Sequence, residues 1–346
     1  MGNWKKAILQ SITTPQELSK VFPIDTNAIT QVTKRYPMRI TQYYLSLIKY
    51  CEDPIWRQCV PDSKELLEDN LKIDPLNESS FSPIPGLIHR YPDRVLLLVS
   101  SSCATICRFC LRKSWVGSDF GTPIKELIEQ AIIYIRKYPK IRDVILSGGD
   151  PLLLEDEIIE EILERLRKIP HIEIIRIGTR IPVTLPERIT HHLCKILKHY
   201  HPIYVNTHFN HPQEITPESS AACQELVDAG CPLGNQTVLL KGVNDDPEVM
   251  RQLMQKLLAI RVRPYYLHHM DPVRGTSHFR TSIDVGLNIM SQLRGYTSGL
   301  AVPYYVIDLP GGLGKVPILP DNIKKEGGKL ILRNYLGQWV EYQDID

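Results

Sequence analysis

The sequence lacks the features of a membrane protein, a nucleic-acid-binding protein or a disulfide-rich secreted protein. No apolar run approaches the roughly 18 residues of a transmembrane helix, and no apolar stretch follows the charges of the start, Met1-Gly-Asn-Trp-Lys-Lys6. The 41 basic and 39 acidic residues nearly balance, which leaves no basic footprint for a phosphate backbone. Eight cysteines in 346 residues are too few for a disulfide scaffold. We therefore expect a cytoplasmic protein with neither a membrane nor a nucleic acid as partner.

The chain divides into three segments. With 43% hydrophobic residues it has the composition of a globular protein. Residues 1–82 repeat apolar positions at intervals of three and four, which predicts an N-terminal helical segment. The proline-rich stretch Phe81-Ser-Pro-Ile-Pro-Gly86 marks its end.

Beyond this boundary, short apolar runs alternate six times with amphipathic runs. The pairs are 94–100 with 124–138, 143–146 with 155–168, 173–178 with 186–199, 203–208 with 218–229, 234–240 with 247–260, and 263–267 with 283–294. Because the strands read as apolar on both faces, residues 83–303 are predicted to form an α/β fold, a parallel sheet covered by helices. A (β/α)6-type barrel is favoured by polar residues at the strand ends, namely Asp150, Arg180, His208, Gln236 and Asp271. An open doubly wound sheet is the alternative.

A seventh predicted strand, 304–309, leads into a glycine-rich loop. Residues 304–346 are therefore predicted to form this loop and a short C-terminal arm.

Three cysteines crowd into one loop directly after the first of these strands. Cys103, Cys107 and Cys110 supply three thiolates, one fewer than the four that usually hold a [4Fe-4S] cluster, so that one iron is left open to chelate a ligand. A zinc site is the alternative, but it requires a fourth ligand. The C-x3-C-x2-C spacing resembles the radical S-adenosylmethionine superfamily, whose members have a full or partial barrel with this loop after the first strand.

Ser147-Gly148-Gly149-Asp150 ends the second predicted strand. Paired glycines allow backbone amides to approach a ligand closely, and the carboxylate of Asp150 can accept a hydrogen bond from an ammonium group. After a three-cysteine loop, this element resembles the one that binds the amino group of S-adenosylmethionine in that superfamily.

The loop Asp308-Leu-Pro-Gly-Gly-Leu-Gly-Lys315 ends in a lysine. A nucleotide P-loop is disfavoured, because Lys315 is followed by valine rather than by serine or threonine. The other use of such a lysine is as the nitrogen of a Schiff base with a cofactor aldehyde.

Taken together, these motifs resemble the lysine 2,3-aminomutase family over residues 83–342. Further motifs that carry the resemblance are Asn206-Thr-His-Phe-Asn-His-Pro212, Gly234-Asn-Gln-Thr-Val-Leu-Leu-Lys-Gly-Val-Asn244 and His278-Phe-Arg280. The resemblance implies a [4Fe-4S] cluster, S-adenosylmethionine and pyridoxal 5'-phosphate as cofactors, with Lys315 holding the last of these. It also implies an amino acid substrate, an electron donor such as flavodoxin or ferredoxin, and a homo-oligomer.

Several residues match the family's functional positions, so that their roles are implied by the resemblance. Arg90, Tyr91 and Arg94 match the stretch that contacts pyridoxal phosphate, and Arg112 matches the arginine that pairs with the substrate carboxylate. Asp271 and Asp308 match the two aspartates that hold the distal ammonium of lysine, a charge that requires acceptors when it is buried. His208 and Gln236 match positions near the adenosyl group.

The chain also departs from the family. No cysteine cluster follows Lys315, and Asp246 stands where clostridial-type enzymes have another cysteine, so we expect no structural zinc. His268 stands where free-lysine enzymes have tyrosine.

The expected activity is the interconversion of L-lysine and β-lysine through a 5'-deoxyadenosyl radical, in an isomerase of the aminomutase type. One alternative is the same chemistry supplying (R)-β-lysine for elongation factor P; another is a different amino acid such as glutamate or arginine. Retention of both Asp271 and Asp308 favours lysine, because two carboxylates repel a third. A non-catalytic iron-sulfur or zinc protein is the alternative from another class, but it gives Lys315 no purpose.

Overall fold

Short capped helices form the N-terminal segment, as the sequence predicts. The computed structural model describes residues 3–67, 70–117, 124–327 and 329–343; the remaining positions of the predicted N-terminal segment, barrel and C-terminal arm lie outside these ranges. The α-helices of this segment are α1 (Asn3–Leu9), α2 (Pro15–Leu18), α3 (Thr26–Thr33), α4 (Gln42–Ser46) and α5 (Pro54–Cys59). Side chains of Thr14, Asp25, Thr41 and Asp53 cap helices α2 to α5 by accepting hydrogen bonds from their first backbone N–H groups. Two short 3-10 helices, Ser63–Leu66 and Glu78–Phe81, complete the segment.

The main sheet has nine strands that lie side by side in chain order. They are β1 (Leu87–Tyr91), β2 (Arg94–Ser100), β3 (Asp143–Gly148), β4 (Ile174–Gly178), β5 (Ile203–Thr207), β6 (Leu233–Leu239), β7 (Arg263–His269), β8 (Tyr304–Asp308) and β9 (Lys315–Pro317). Strands β2 to β8 run parallel, while β1 and β9 are antiparallel edges. Because the strand order shows no reversal, the sheet is of the barrel type and not doubly wound. The predicted α/β barrel fold is confirmed.

Helices between the strands cover the outside of this sheet. They are α6 (Ile124–Lys137), α7 (Asp156–Arg167), α8 (Ile181–Thr184), α9 (His191–His199), α10 (Pro217–Asp228), α11 (Pro247–Ala259) and α12 (Ile283–Leu293). Helix α7 shows the pattern, since its buried residues, Ile159, Ile162, Leu163 and Leu166, are three and four positions apart and form one apolar stripe. None of the helices in the described ranges has the length and apolar character that crossing a membrane requires.

The two faces of the central strands differ, contrary to the expectation that both are apolar. In β4, Ile175 and Ile177 are fully buried in the core, whereas Arg176 and Gly178 line an interior cavity. In β6, Gln236 likewise points to the cavity. Because side chains alternate along a strand, the outward face packs under the helices and the inward face is free to carry polar groups.

The N-terminal segment is joined to the barrel through buried charges. Glu65 forms salt bridges to Arg108 at 2.5 Å and to Lys113 at 2.6 Å, and all three side chains are at most 2% exposed. Burial opposes ionisation of Glu65, but the two cations lower its pKa to about 2. Burial and the nearby charge of Arg108 lower the pKa of Lys113 to about 8. Glu65 raises this pKa, but its single carboxylate is shared between the two cations and does not offset the lowering. These ion pairs flank the cysteine loop on both sides of Cys110.

The C-terminal residues form a small sheet of their own. Strands β10 (Ile323–Glu326), β11 (Lys329–Arg333) and β12 (Trp339–Tyr342) pair antiparallel. Strand β8, by contrast, pairs with β7 in the main sheet, so the last predicted segment begins inside the barrel. The division into segments 1–82, 83–303 and 304–346 stays a prediction.

We predict that Glu65→Ala lowers the free energy of unfolding by about 3–5 kcal/mol, because it leaves two buried cations without their carboxylate. Urea denaturation followed by circular dichroism measures this change. Glu164→Ala is the matched control, since Glu164 pairs with Lys168 on the surface of α7 and is about half exposed; its effect on the free energy of unfolding is expected to be much smaller, because solvent screens a surface ion pair. Equal losses for the two variants would contradict the prediction.

Candidate active site

One cavity of about 1040 Å³ runs through the barrel, and the sequence-predicted site residues all line it. These residues are Arg90, Tyr91, Arg94, Cys103, Cys107, Cys110, Arg112, Ser147, Gly148, Gly149, Asp150, His208, Gln236, Asp271, Asp308 and Lys315. They come from both edge strands, from the ends of the central strands and from the loops after them. The barrel thus brings together residues that span positions 90 to 315.

The three-cysteine loop is held in place by backbone hydrogen bonds to the N-terminal segment. The amide of Ile106 donates to the carbonyl of Arg39, and the amide of Arg108 donates to that of Gln58, both at 2.9 Å. The guanidinium of Arg39 in turn donates to the carbonyl of Cys103 at 3.2 Å. The loop is therefore preorganised by residues outside the barrel.

The three thiols of this loop form no disulfides, and they influence the pKa values of one another. Burial raises the pKa of Cys103, and the neighbouring Cys110 raises it further. Burial and the charge of Cys107 raise the pKa of Cys110 to about 11. Thiolates so placed require a cationic partner such as bound iron.

In the described ranges, the three thiols are not arranged around one metal ion. No three side chains of His, Cys, Asp or Glu there lie close enough to share one metal ion. An iron-sulfur cluster makes a different demand, because its cysteines bind separate iron atoms.

Arg180 is a cysteine contact that the sequence did not predict. It follows β4, where the sequence marked it only as a polar strand end, and its Nη1 donates a hydrogen bond of 2.9 Å to Cys107 Sγ. Its side chain is 8% exposed. Position at a strand end was the one signal that could have pointed to it.

The glycine element after β3 lies directly against the cysteine loop. A Cβ atom on Gly148 would stand 2.2 Å from the carbonyl oxygen of Ser100, and one on Gly149 would stand 2.4 Å from that of Ser102. Gly148 also has φ of +129°, which side chains disfavour. Only glycine permits this approach of the two loops.

The carboxylate of Asp150 is largely occupied by hydrogen bonds within the chain, which the sequence does not indicate. Its carboxylate is buried and accepts hydrogen bonds from Thr179 Oγ1 and the Arg180 amide at 2.7 Å, and from the Leu152 amide at 3.1 Å. These donors occupy three of about four acceptor positions. Asp150 therefore pins the loops after β3 and β4 together, and its contact with a ligand ammonium stays a prediction.

Lys315 and Asp308 form an ion pair at the mouth of the cavity. Lys315 Nζ lies 2.7 Å from Asp308 Oδ1 and 2.5 Å from Oδ2, and His268 Nδ1 lies 3.4 Å from Oδ2. Burial opposes ionisation of Asp308, but His268 and Lys315 lower its pKa to about 2. Burial lowers the pKa of His268. Asp308 is thus an ionised acceptor that already holds an ammonium group.

Asp271 shares this end of the cavity with Asp308. Burial, and then the charge of Asp308, raise the pKa of Asp271 to about 7. The two carboxylates therefore repel each other, and a second positive charge between them is favoured.

Arg112, predicted to bind a carboxylate, holds one within the chain. Its Nε and Nη2 donate to the two carboxylate oxygens of Glu78 at 3.0 and 2.6 Å. Burial alone would lower the pKa of Arg112, but Glu78 raises it. Glu78 was not predicted, because nothing in its local sequence sets it apart from a surface acid.

The stretch at β1 supports the Lys315 loop. The hydroxyl of Tyr91 accepts a hydrogen bond from the backbone amide of Lys315 at 3.2 Å, and the guanidinium of Arg94 lies 3.9 Å from the centre of the Tyr91 ring. Arg90 donates from Nη2 to the carbonyl of Leu76 at 3.1 Å, while its buried Nε has no partner among the described residues. Arg94 and Tyr91 thus lie next to the backbone of Lys315, and the contact of Arg90, Tyr91 and Arg94 with a cofactor phosphate stays a prediction.

His208 and Gln236 line the cavity from the middle strands. His208 packs edge to face on Phe109 with ring centres 5.5 Å apart, and burial lowers its pKa well below the usual 6.5. Its buried Nε2 has no hydrogen-bond partner in the described part of the chain. A neutral imidazole with an open nitrogen is suited to a polar ligand.

Comparison with known proteins gives matches along the chain. The family described as "Radical SAM superfamily" matches residues 97–254, and the family described as "Lysine-2,3-aminomutase" matches residues 290–346. The L-lysine 2,3-aminomutase of Methanococcus maripaludis is 54% identical over 89% of this chain and 72% of its own. That of Clostridium subterminale is 49% identical over 99% and 84%. The glutamate 2,3-aminomutase of Clostridioides difficile is 44% identical over 99% and 83%.

We predict that Asp271→Asn stabilises the cofactor-free protein at pH 8 by an amount of the order of 3 kcal/mol. The folded-state pKa of Asp271 is raised, so the stability that goes with its protonated form is lost as the pH rises toward 7. The gain from asparagine is therefore expected to be small at pH 4 and to grow up to pH 7. Thermal melts across this range, with exposed Asp228→Asn as control, measure it. A gain that does not depend on pH would exclude this role.

Proposed function

We propose that this chain, which belongs to the lysine 2,3-aminomutase family of radical S-adenosylmethionine enzymes, interconverts L-lysine and β-lysine by a 2,3-shift of the amino group. Its family comprises isomerases that use a [4Fe-4S] cluster, S-adenosylmethionine and pyridoxal 5'-phosphate. The non-catalytic alternative is thereby set aside. The substrate and the roles of individual residues are the content of the proposal.

The observation that carries the choice of lysine is the ion pair between Asp308 and Lys315. The ammonium of Lys315 on this carboxylate stands in for the side-chain ammonium of a bound lysine. Asp271, whose pKa is raised to about 7, becomes more favourably ionised when a second cation arrives. Lys315 would hold pyridoxal phosphate, and Asp308, without its internal partner, would then be able to bind another ammonium.

The other end of the substrate is assigned to Arg112. Its guanidinium already binds a carboxylate in two-pronged fashion, which is the geometry that an amino acid carboxylate offers. The substrate displaces or shares the contact of Glu78. An amino acid with a carboxylate at one end and an ammonium at the other satisfies both subsites.

The residues present fit the three cofactors. Cys103, Cys107 and Cys110 are free thiols that line the same cavity. The open Nε2 of His208 and the backbone at the glycine element face the same cavity, as expected for an adenosylmethionine site. Lys315 is one-third exposed and lies beside the cations of β1, as expected for pyridoxal phosphate. When bound, the cluster and adenosylmethionine supply the radical that removes a substrate hydrogen, and pyridoxal phosphate activates the migrating amine.

The chain's own task is to bind and orient the substrate. The subsites of Arg112 and Asp308 hold the two ends, so the carbons between them are kept in one position relative to the cysteine loop. We include in the proposal an external electron donor such as flavodoxin or ferredoxin, a homo-oligomer and a cytoplasmic location.

A substrate panel tests the assignment. Anaerobically reconstituted protein is expected to convert L-lysine with formation of β-lysine. It is expected to act on L-glutamate at least about 100-fold less efficiently, a loss of roughly 3 kcal/mol, because the side-chain carboxylate of glutamate cannot pair with Asp308. Chromatography of derivatised amino acids measures each product. Preference for L-glutamate would overturn the proposal, and it is a defined alternative because one relative carries that name.

Replacing Asp308 tests the ammonium subsite. Asp308→Asn is expected to lower kcat/KM for L-lysine by about 100-fold or more, because one partner of a buried charge pair is removed. The visible band of protein-bound pyridoxal phosphate is expected to persist. Asp321→Asn, on the exposed C-terminal arm, is the control. Unchanged kcat/KM in Asp308→Asn would contradict the subsite.

Lys315→Ala is expected to abolish both the visible band of bound pyridoxal phosphate and β-lysine formation, since no other group of the loop can bond the cofactor aldehyde. Lys324→Ala, at an exposed lysine of β10, serves as the control and is expected to keep both. Ultraviolet-visible spectroscopy and the product assay measure the two properties. A Lys315→Ala protein with an intact band would show that another lysine holds the cofactor.

A further inference from the structure

A buried arginine lies against the cysteine loop without a role in binding the substrate. Arg180 donates from Nη1 to Cys107 Sγ at 2.9 Å. Its guanidinium also lies 5.4 Å from the ring centre of Phe109, the residue before Cys110. A permanent positive charge is thus held at a thiol that is assigned to the cluster.

The other nitrogens of Arg180 fix its orientation. Nε donates to the carbonyl of His208 at 3.1 Å, and Nη2 donates to Gln58 Oε1 and to Glu214 Oε1 at 2.6 Å each. Glu214 is fully buried and its Oε1 accepts a further hydrogen bond from Tyr44 at 2.6 Å. Because Nε and Nη2 are engaged in this way, Nη1 is the nitrogen that donates to the sulfur of Cys107.

This arrangement acts on the reduction potential of a cluster. Reduction adds one electron and makes the cluster and its sulfur ligands more negative. A hydrogen bond from a cation to a ligand sulfur stabilises the reduced form more than the oxidised form, and the effect is large where water is excluded. The buried counter-charge of Glu214 contacts Nη2 and not Nη1, which donates directly to Cys107, so it weakens the effect without cancelling it.

We propose that Arg180 is a positioning residue that raises the reduction potential of the cluster through its hydrogen bond to Cys107, so that a weaker donor suffices to reduce it. The proposal rests on the assignment of Cys103, Cys107 and Cys110 as cluster ligands. The step concerned is the gain of one electron by the oxidised cluster from an external one-electron donor. No proton moves, because the guanidinium stays protonated throughout.

Potentiometry followed by electron paramagnetic resonance tests the proposal on the intact, anaerobically reconstituted enzyme. The main variant is Arg180→Gln combined with Glu214→Gln, which removes the buried pair together and avoids an unpaired carboxylate. Its cluster is expected to have a more negative midpoint potential than the native one. Glu214→Gln alone removes the counter-charge and keeps the donor, so its potential is expected to shift in the opposite direction.

A control uses another arginine–carboxylate pair of the barrel, in which the arginine is buried and the aspartate is 17% exposed. Arg188 pairs with Asp156 at 2.7 Å and is fully buried, but neither residue lines the cavity. Arg188→Gln with Asp156→Asn is expected to leave the potential unchanged. A purely structural role of Arg180 would lower the iron content in its variants and leave the potential of the remaining clusters the same.

The outcomes separate this inference from the proposed function. If the native protein assembles no [4Fe-4S] cluster on the three cysteines, the ligand assignment fails and the inference falls with it. If the cluster forms and the double variant has the native potential, the inference alone is overturned. Should the double variant hold no cluster, Arg180→Lys decides: lysine keeps a charge for Glu214 but cannot also span to the sulfur, so a negative shift supports the proposal and a native potential refutes it.

Discussion

The pairing of charges inside the barrel is the constraint on which the rest of this structure depends. An ionised group that leaves water is stable in a protein only with a partner and with its hydrogen bonds satisfied. Glu65 with Arg108 and Lys113, Glu214 with Arg180, and Asp308 with Lys315 each meet this condition around the same cavity. Glu65 and Arg108 are 43 residues apart and Glu214 and Arg180 are 34 apart, whereas Asp308 and Lys315 join the consecutive strands β8 and β9. The requirement for pairing therefore determines where the loops of the site can lie.

The N-terminal segment takes part in this pairing and is more than a cover for the barrel. It supplies Glu65 beside the cysteine loop, Glu78 to Arg112, and Gln58 to both Arg180 and the backbone of Arg108. The barrel alone would leave several of these buried groups without partners. Assembly of the site therefore requires the segment to be folded onto the barrel.

Local sequence patterns predicted the barrel, its strands, the three cysteines, the glycine element and Lys315, whereas the roles of the other site residues were implied by the resemblance to a family. Strand periodicity, the cysteine spacing and the glycine loops are properties of neighbouring residues, and the residues that they marked meet in one cavity. Such patterns do not predict contacts between residues that are far apart in sequence. The contact of Arg180 with Cys107 joins residues 73 apart, and that of Arg112 with Glu78 joins residues 34 apart. Neither residue's neighbours indicate a partner at that distance.

The inward face of the strands was misjudged for a related reason. Arg176 occupies an inward position of β4 and is stabilised by Asp143 of β3 at 2.7 Å. A short run that is mostly β-branched reads as apolar throughout, although alternate residues face different surroundings. Asp150 illustrates the same limit, since its three donors come from segments on either side of β4. The partner of each polar residue is therefore set by the neighbouring strands and loops of the sheet, and not by the residues next to it in sequence.

Both ends of the proposed substrate site are already occupied by groups of the chain that resemble the substrate. Glu78 places a carboxylate on Arg112, and Lys315 places an ammonium on Asp308. A ligand therefore gains only the difference between its own contacts and the internal ones that it replaces. A molecule with only a carboxylate could replace Glu78 but not Lys315, and a molecule with only an ammonium could replace Lys315 but not Glu78. An amino acid with a distal ammonium can replace both. Selectivity for a dibasic amino acid follows from this exchange, and cofactor binding at Lys315 makes the ammonium half of it available.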